Sequence, residues 1–295
     1  MKPVAIISGP TCSGKTEFAI RLAEKLGAEI ISCDSVQIFR GMDIGSAKPT
    51  PEERAKIPHH LIDAADVSEK FDVARYVSLA KAALRDIARR GKNVVVAGGS
   101  GFYLSAWFKA VADGVEIPEE VANFAAKIEA EGGAETLARE LLKVDPRAAE
   151  TIDIHNPRRT RNALERCLAS GKSAAQLRAE FEKLPCPMGE FPRRFMLLDR
   201  PDAEMAERIK MRTRKMIGAG LVDETRRLIA AGLLKNPSLK NATGYKQAVE
   251  FIKSGSTDTR RLAEEIEIQT MALVRRQRKY FRTQLGNIPR CAAEL

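Results

Sequence analysis

The sequence predicts an α/β fold, in which a parallel sheet with flanking helices is interrupted by a mostly helical insertion. Three short apolar runs rich in valine and isoleucine have the form of strands buried in a sheet, and segments with helical spacing separate them. Residues 119–182, in contrast, contain no convincing strand. Strands that alternate with helices of this length pair in parallel, because each helix carries the chain back across the sheet.

The first strand is predicted at Val4–Ser8, an apolar and β-branched run, and a glycine-rich turn follows at Gly9–Thr16. From Lys15, apolar residues recur at every fourth position, and Gly27 ends this helix. The apolar positions are Phe18, Leu22 and Leu26. A strand, a glycine-rich turn and an amphipathic helix therefore open the chain.

Two further strands are predicted in the first hundred residues or so. Glu29–Cys33 forms the second and ends at Asp34. A helix over 71–90 separates it from the third, Asn93–Ala97, which runs into Gly98-Gly99-Ser100-Gly101.

A change of pattern divides the chain. We predict a catalytic core formed by 1–112 and 191–295, and a helical insertion at 113–190 with breaks at Gly132-Gly133 and Pro146. Within the second core segment, Phe195–Leu198 returns as a strand and Pro201 opens a long helix. The last helix, about 258–284, is rich in arginine and lysine.

Composition excludes several classes of protein. No segment has the run of roughly 18 apolar residues that a membrane span requires, and the N-terminus has no cleavable signal. The five cysteines are scattered, and with three histidines they suggest neither a disulfide framework nor a zinc site. We expect a reduced, cytoplasmic protein that does not contact a membrane.

Charge is distributed unevenly along the chain. Residues 151–295 contain 29 Lys and Arg against 17 Asp and Glu, a net charge of +12, whereas residues 1–150 have a net charge of −2. A nearly neutral half beside a basic half is typical of a catalytic core joined to a surface that binds a polyanion such as nucleic acid. Basic residues kept only for solubility would give the same composition, so charge alone leaves both interpretations open.

The turn Gly9–Thr16 matches the phosphate-binding pattern G-x-x-x-x-G-K-[ST] at every fixed position. Its glycines let backbone N–H groups curl around phosphate oxygens, and the helix N-terminus adds partial positive charge. Lys15 would reach the outer phosphate, and the Thr16 hydroxyl could ligate Mg²⁺. A nucleoside triphosphatase usually adds a carboxylate at the end of a strand, but the third strand ends at Ala97 followed by glycine, which weakens an ATPase interpretation.

Further motifs make the sequence resemble the tRNA dimethylallyltransferases, the tRNA isopentenyltransferase family. They occur in the family's order and span roughly residues 4–282. Few proteins with this phosphate-binding loop follow the second strand with Asp-Ser-x-Gln-x-aromatic-Arg-Gly. The motifs are Gly9–Thr16, Asp34–Pro49, Pro58–Asp63, Gly98–Leu104, Leu164-Glu165 with Ser170–Ser173, Gly244-Tyr245-Lys246 and Arg275-Arg276-Gln277.

The resemblance implies a fold like that of the P-loop NTPases and a prenyl transfer reaction. A dimethylallyl group would pass from dimethylallyl diphosphate to the exocyclic amine of the adenosine 3′-adjacent to the anticodon in tRNA, with Mg²⁺ as cofactor and with the insertion holding the anticodon stem-loop. We also expect a monomer. The diphosphate would be bound by Gly9, Pro10, Thr11, Cys12, Ser13, Gly14, Lys15, Thr16, Arg208 and Arg212.

Asp34 is expected to act as the general base on the adenine amine, since a weakly basic amine must lose its proton as the new bond forms. Lys15, Thr16 and Ser100 complete the expected catalytic set, with Thr16 as the Mg²⁺ ligand. The expected tRNA contacts are Asp34, Ser35, Val36, Gln37, Ser100, Arg158, Arg159, Thr160, Arg161, Asn162, Arg275 and Arg276. From spacing alone, Asp34 could equally be a turn residue, and the arginines could be solvated helix faces.

Three positions depart from the family pattern. Ser100 stands where threonine is usual and keeps the hydroxyl, whereas Met271 replaces an arginine and removes one expected basic contact. Tyr280 replaces the common tryptophan. Cys12 and Cys33 lie near the expected site, but the reaction has no use for a thiol, so we interpret both as packing residues.

Three other functions remain open from the residues. An isopentenyltransferase that acts on free adenine nucleotides would share the loop and Asp34, but it would not need a helical insertion or a broad basic surface. A small-molecule or nucleoside kinase would share the loop and turn over ATP. A non-catalytic RNA-binding protein would be unaffected by the loss of Asp34.

Overall fold

The computed structural model describes residues 3–289. Within them the chain forms two compact units: one is Lys109–Cys186, and the other combines the chain up to Phe108 with the chain from Pro187 onward. The sequence boundaries of 113–190 for the insertion lie a few residues further along at both ends. Cys291 falls outside the described residues, and the four cysteines within them are free thiols.

The larger unit is built on a five-stranded parallel sheet with the strand order β3-β2-β4-β1-β5. Its strands are β1 (Val4–Ser8), β2 (Ala28–Ser32), β3 (His59–His60), β4 (Asn93–Ala97) and β5 (Arg193–Leu197). The sheet confirms the predicted α/β class, and four of the strands follow the predicted apolar runs closely. β1 and β2 are buried along their whole length, as expected for continuous apolar strands covered on both faces.

The sequence did not predict β3. This strand has two residues, which pair with Ile30 and Ile31 of β2 at the edge of the sheet. A segment of two residues has no hydrophobic periodicity, and Pro58 directly before it is an unfavourable residue for a strand. Tertiary pairing with β2 therefore decides its conformation.

Eleven helices surround or follow the strands in the described part of the chain. They are α1 (Lys15–Leu26), α2 (Pro51–Lys56), α3 (Val73–Arg89), α4 (Gly101–Ser105), α5 (Glu119–Val144), α6 (Pro157–Ser170), α7 (Ala174–Glu182), α8 (Asp202–Gly218), α9 (Leu221–Ala230), α10 (Tyr245–Ser254) and α11 (Thr259–Gln284). α1 ends where predicted, because Gly27 adopts a left-handed conformation with φ of 58° and its N–H caps the last turn. Within residues 3–289, every helix is too short or too polar to span a lipid bilayer.

The unit Lys109–Cys186 contains α5, α6 and α7 and, within these fully described residues, no strand. Gly133 interrupts α5 with φ of 66° and ψ of −161°, at the predicted glycine break. The core of the unit is formed by leucine side chains of all three helices. They are Leu137, Leu141, Leu164 and Leu177.

The parallel sheet brings three chain segments to its carboxyl-terminal edge. β1 runs into Gly9, β2 into Cys33 and Asp34, and β4 into Gly98. The Cys33 N–H donates to the Ala97 carbonyl at 2.8 Å, and the Gly98 N–H donates to the Ile7 carbonyl at 3.2 Å. These hydrogen bonds continue the sheet past the ends of its strands. They therefore hold the loops that follow the strands next to one another.

Candidate active site

The loop between β1 and α1 depends on glycine at two positions. At Gly9, φ is 153°, and a Cβ would lie 2.0 Å from the Leu198 carbonyl oxygen, so no side chain can be accommodated. Gly14 precedes α1 with φ of 94°. Cys12 also has a positive φ, 65°, which is uncommon outside glycine. The loop thus takes the tight curve that its glycines predict and leaves the first N–H groups of α1 without helical partners.

Three arginines and a glutamine hold the outside of this loop. Arg200 Nε donates to the Ser13 carbonyl at 3.0 Å, Arg208 Nε donates to the Cys12 carbonyl at 2.7 Å, and Arg212 Nη1 donates to Thr11 Oγ1 at 2.9 Å. Gln277 of α11 accepts the Thr11 N–H at 2.8 Å and donates to the Gly99 carbonyl at 2.9 Å. The loop is therefore fixed before any ligand arrives.

The arginines also bring positive charge to the start of α1. The Nη2 atoms of Arg200 and Arg208 lie 3.4 and 3.6 Å from the position that a Cβ on Gly14 would occupy. Arg208 and Arg212 were expected at a diphosphate from the sequence, whereas Arg200 and Gln277 were not. Both lie far along the chain from the loop. Gln277 belongs to a motif of the family, but its contact with the loop, like that of Arg200, is visible only in the tertiary structure.

Lys15 is the basic side chain of the loop itself. Its Nζ donates to the Pro10 carbonyl at 2.6 Å. Burial lowers the pKa of this ammonium from 10.5 to about 8, the charge of Asp34 opposes the shift, and Arg212 reinforces it. A Cβ on Gly99, in the loop that follows β4, would lie 3.5 Å from Lys15 Nζ, so the lysine reaches the sheet edge where β2 and β4 end.

Two hydroxyl groups of the loop differ in their surroundings. Ser13 is 2% exposed, and its Oγ has no hydrogen-bond partner among the described residues. Thr16 lies exposed in the first turn of α1. A buried hydroxyl without a partner is unusual in a protein, which marks this loop as built around a polar group that the protein itself does not supply.

Asp34 follows β2 and is half-buried. Its Oδ1 accepts the backbone N–H groups of Val36 at 2.8 Å and Gln37 at 3.3 Å, so the aspartate does form the turn that spacing alone suggested. No described residue donates to Oδ2 in these contacts. One carboxylate oxygen therefore shapes the turn, and the other remains for a ligand.

Ser100 connects the turn after β2 to the loop after β4. Its Oγ accepts the Ser35 N–H at 2.7 Å and donates to Ser35 Oγ at 2.9 Å. Gly98 allows this approach, since a Cβ there would lie 2.0 Å from the Cys33 carbonyl oxygen. Ser35 is exposed and Ser100 half-buried beside it, so the structure brings Asp34, Ser35 and Ser100 together.

The five residues of α6 that were expected to contact tRNA divide into two groups. Arg158, Arg159 and Asn162 are exposed. Thr160 is fully buried, and its hydroxyl donates to carbonyl oxygens at 3.0 Å within its own unit. Arg161 forms ion pairs with Glu129 and Glu165 at 2.9 and 2.8 Å. All five residues were expected to contact tRNA. Because successive residues of a helix point in different directions, Thr160 and Arg161 instead contact their own unit.

α11 also presents two kinds of side chain. Arg275 and Arg276 are exposed, whereas the next residue, Gln277, contacts the phosphate loop. Met271, the position that lacks the family's arginine, packs against an apolar cluster of Met205, Ile209 and Val274. One face of this helix therefore serves packing and the other remains available to solvent.

Tyr280, the third departure, packs beside α4. Its hydroxyl and Ser105 Oγ are 2.7 Å apart, and a Cβ on Gly101 would lie 2.6 Å from its ring. The tyrosine thus packs against α4, which begins directly after Ser100, and supports this segment. A polar aromatic residue satisfies this position because its hydroxyl finds a partner.

Comparison with known proteins gives the same family throughout. The family model described as IPP transferase matches residues 37–284. The tRNA dimethylallyltransferase of Opitutus terrae is 47% identical over 95% of this chain and 90% of its own length. That of Thermotoga maritima is 37% identical over 95% of this chain and 89% of its own length.

Solved structures agree. A tRNA isopentenylpyrophosphate transferase from Bacillus halodurans is 30% identical and covers 96% of this chain and 88% of its own, with a TM-score of 0.66. A eukaryotic dimethylallyltransferase, solved acting on tRNA, is 26% identical and covers 97% of this chain and 71% of its own, with a TM-score of 0.82. With a family model that matches most of the chain and relatives this similar over nearly its whole length, the chain belongs to the IPP transferase family, whose members compared above are named as tRNA dimethylallyl- or isopentenyltransferases.

Proposed function

We propose that this protein transfers the dimethylallyl group of dimethylallyl diphosphate to the exocyclic amine of the adenosine 3′-adjacent to the anticodon in tRNA, and releases diphosphate. The observation that carries the proposal is the position of Asp34, directly after β2, at the sheet edge where the phosphate loop follows β1. Ser100 binds the turn after Asp34, and a Cβ on the preceding Gly99 would lie 3.5 Å from Lys15 Nζ. A base and a diphosphate site at the same sheet edge are what this reaction requires. Family membership supplies the chemistry of donor and acceptor.

On the donor side, the bond between the allylic carbon and the diphosphate oxygen breaks, and negative charge grows on the leaving group. Lys15, the N–H groups at the start of α1 and the guanidinium groups of Arg208 and Arg212 stabilise this charge. Arg200 reaches the same region and joins them. Since Gln277 and the arginines hold the loop in place beforehand, little rearrangement is needed as charge develops.

On the acceptor side, the adenine N6 forms a bond to the allylic carbon while its proton passes to Asp34. The free Oδ2 is the atom that accepts the proton, because Oδ1 is engaged by the turn. The adenosine must leave its stack to reach this edge, which costs roughly a few kcal/mol. Ser35, Val36 and Gln37, with Ser100 behind them, provide the polar surface that receives it.

Mg²⁺ is the proposed cofactor, and the donor set fits it. Among residues 3–289 there is no cluster of three acidic, histidine or cysteine side chains that could hold a metal alone. Magnesium, however, is commonly held by one or two protein oxygens together with substrate phosphates and water, and the exposed Thr16 hydroxyl offers such an oxygen. When bound, the ion would neutralise charge on the diphosphate.

The exposed residues of α6 and those of α11 are each proposed to bind tRNA, on their own unit. Arg158, Arg159 and Asn162 belong to the helical unit, which would contact the anticodon stem-loop, and Arg275 and Arg276 belong to the core. Guanidinium groups bind phosphates well, because their N–H groups match pairs of phosphate oxygens. The protein would act as a monomer in the cytoplasm, where unmodified tRNA is present.

The test is to incubate the protein with Mg²⁺, dimethylallyl diphosphate and unmodified tRNA with an adenosine 3′ of the anticodon. Digested RNA is then examined by mass spectrometry for prenylated adenosine. Parallel reactions contain AMP in place of tRNA, or labelled ATP in place of the prenyl donor. Product on tRNA but not on AMP supports the proposal, product on AMP would point to the free-nucleotide enzyme, and ATP turnover without prenylation would point to a kinase.

A further inference from the structure

A buried carboxylate far along the chain holds the loop that follows Asp34. Glu224, in the first turn of α9, is 2% exposed. Its two oxygens accept the backbone N–H groups of Asp43, Ile44 and Gly45 at 2.9 to 3.2 Å. Three consecutive amides are thus bound by one side chain.

Neighbouring residues hydrogen-bond the buried Glu224 carboxylate and leave room for its contact with the loop. The Tyr245 hydroxyl donates to its Oε1 at 2.7 Å, and burial beside this carboxylate raises the pKa of the tyrosine, which keeps it a donor. Gly45 must be glycine, because a Cβ would lie 2.5 Å from the Tyr245 ring. A buried carboxylate without full hydrogen bonding is strongly disfavoured, and four donors satisfy this one in place of a cation.

The segment that Glu224 binds is also hydrogen-bonded to the turn that contains Asp34. The carbonyl groups of Ser46 and Ala47, directly after Gly45, accept hydrogen bonds from Gln37 Nε2 at 3.4 and 3.2 Å. The backbone N–H of Gln37 in turn donates to Asp34 Oδ1. Glu224 is therefore connected to the proposed base through three sets of hydrogen bonds, which are joined covalently by the backbone of 45–47 and by Gln37 itself.

A second anchor supports the same loop. Lys48 is 9% exposed, and its Nζ donates to Asp43, to Asp63 and to the Phe39 carbonyl at 2.6 to 2.9 Å. Lys48 thus ties the loop to Asp63, whereas Glu224 ties it to α9.

We propose that Glu224 is a positioning residue for prenyl transfer: through the amides of 43–45 it sets the distance and direction of Gln37 and Asp34 relative to the acceptor amine. The inference rests on the proposed function. Its physical basis is that a displacement of a reacting group by about 1 Å can lower a rate by up to 10²-fold even when the substituted residue is remote. No described hydrogen bond joins Glu224 to the phosphate loop, so we expect its substitution to affect the transfer step much more than donor binding.

The test replaces Glu224 with glutamine, which keeps the shape but presents an NH₂ group to backbone donors. We expect kcat to fall about 10- to 100-fold, in line with such a displacement, while the Kd for dimethylallyl diphosphate stays unchanged. Glu224→Asp, which retains the charge but shortens the side chain, should give a smaller loss and decides the matter if the glutamine variant does not fold. Hydrogen exchange of residues 43–47 should accelerate in both variants.

Glu29→Gln is the matched control. Glu29 is also buried, at 5% exposure, but it pairs with Arg90 and His60 at the opposite end of β2 from Asp34. Its substitution should lower the melting temperature without changing kcat. Equal kcat in folded Glu224→Gln and in the native chain would overturn the positioning role alone, whereas a native chain that makes no prenylated adenosine would overturn the proposed function and this role with it.

Discussion

At the scale of single residues, Asp34 combines an observed role with a proposed one: Oδ1 holds the turn, and Oδ2 is the proposed proton acceptor. Substitution with alanine would remove both, and a loss of activity could reflect a disturbed turn. Asp34→Asn separates them, because the amide oxygen can still accept from Val36 and Gln37 whereas no basic oxygen remains. We expect turnover to fall by roughly 10²-fold or more, which is the usual contribution of a general base, with unchanged affinity for tRNA.

The measurement for Asp34 is single-turnover prenylation beside a tRNA-binding titration. Asp66→Asn serves as the control, since Asp66 forms only an exposed ion pair with Arg40 in the same stretch of chain. Turnover by Asp34→Asn at the native rate would assign the proton to another acceptor. Loss of tRNA affinity would mean that the aspartate mainly builds the binding surface.

The pKa of Lys15 leads to a prediction on pH. In the free protein this pKa is about 8, against an ordinary value of 10.5. A bound diphosphate favours the charged ammonium and raises the pKa, so above about pH 8 binding must take up a proton. By linkage, the affinity for dimethylallyl diphosphate should be constant below about pH 7.5 and should fall by up to tenfold per pH unit above 8.

Titration calorimetry of donor binding from pH 6.5 to 9.5 tests this sign and this window. Lys15→Arg provides the control, because a guanidinium stays protonated across the range and should give a flat profile even if it binds more weakly. A native profile as flat as that of the variant would show that Lys15 is already charged at high pH in the free protein.

At the scale of elements, α6 has an exposed basic face and a structural one. Arg158→Ala combined with Arg159→Ala should raise the Kd for tRNA by about tenfold or more and leave donor binding unchanged, because each arginine lost removes a phosphate contact. Lys172→Ala with Arg178→Ala on the same unit is the matched control, since both residues form exposed ion pairs with glutamates. Equal weakening by both pairs would indicate a diffuse charge effect and no specific α6 contact.

Arg161 should behave differently from its neighbours. Its ion pairs with Glu129 of α5 and with Glu165 join two helices of the unit. Arg161→Ala should therefore lower the melting temperature more than Arg158→Ala does, and scanning calorimetry of the two variants checks this. The opposite order would mean that the ion pairs add little to stability, as is common for exposed pairs.

The elements that the sequence predicted are those whose signal is local. β1, β4 and α1 follow from apolar periodicity and from glycines at their ends, and the phosphate loop follows from a pattern of eight residues. β3 and α2 were not predicted, because they are too short to show a hydrophobic period. The sequence also could not reveal that Thr160 points inward, since the face that a helix buries depends on its neighbours.

At the scale of the whole molecule, the parts of the site that sequence reasoning missed come from distant segments. Arg200, Glu224 and Gln277 each contact residues more than a hundred positions away. Nothing in their local sequence distinguishes Arg200 and Glu224 from surface or packing residues, and Gln277 belongs to a family motif that does not reveal its contact with the loop. The motif residues, in contrast, identify themselves because backbone geometry and phosphate chemistry restrict the choice of residue at each position.

The uneven charge of the whole chain leads to the last prediction. If the basic second half binds the tRNA backbone, each cation that neutralises a phosphate releases counterions, and log affinity should fall linearly with log salt by about 0.7 to 0.9 per contact. With Arg158, Arg159, Arg275 and Arg276 engaged, we expect a slope of about −3 for the native chain. Arg275→Ala with Arg276→Ala should reduce its magnitude by about 1.4 to 1.8.

The control for this prediction uses the other half of the chain. Arg85→Ala with Arg89→Ala removes the same amount of charge from exposed positions of α3, within the nearly neutral first 150 residues. Filter binding of tRNA at several salt concentrations gives each slope.

If the slope depends only on net charge, both double variants will shift it equally. If the position of the charge decides, only the α11 variant will, because counterion release requires contact between a cation and a phosphate. A flat salt response in the native chain would instead mean that the basic half does not bind the tRNA backbone at all.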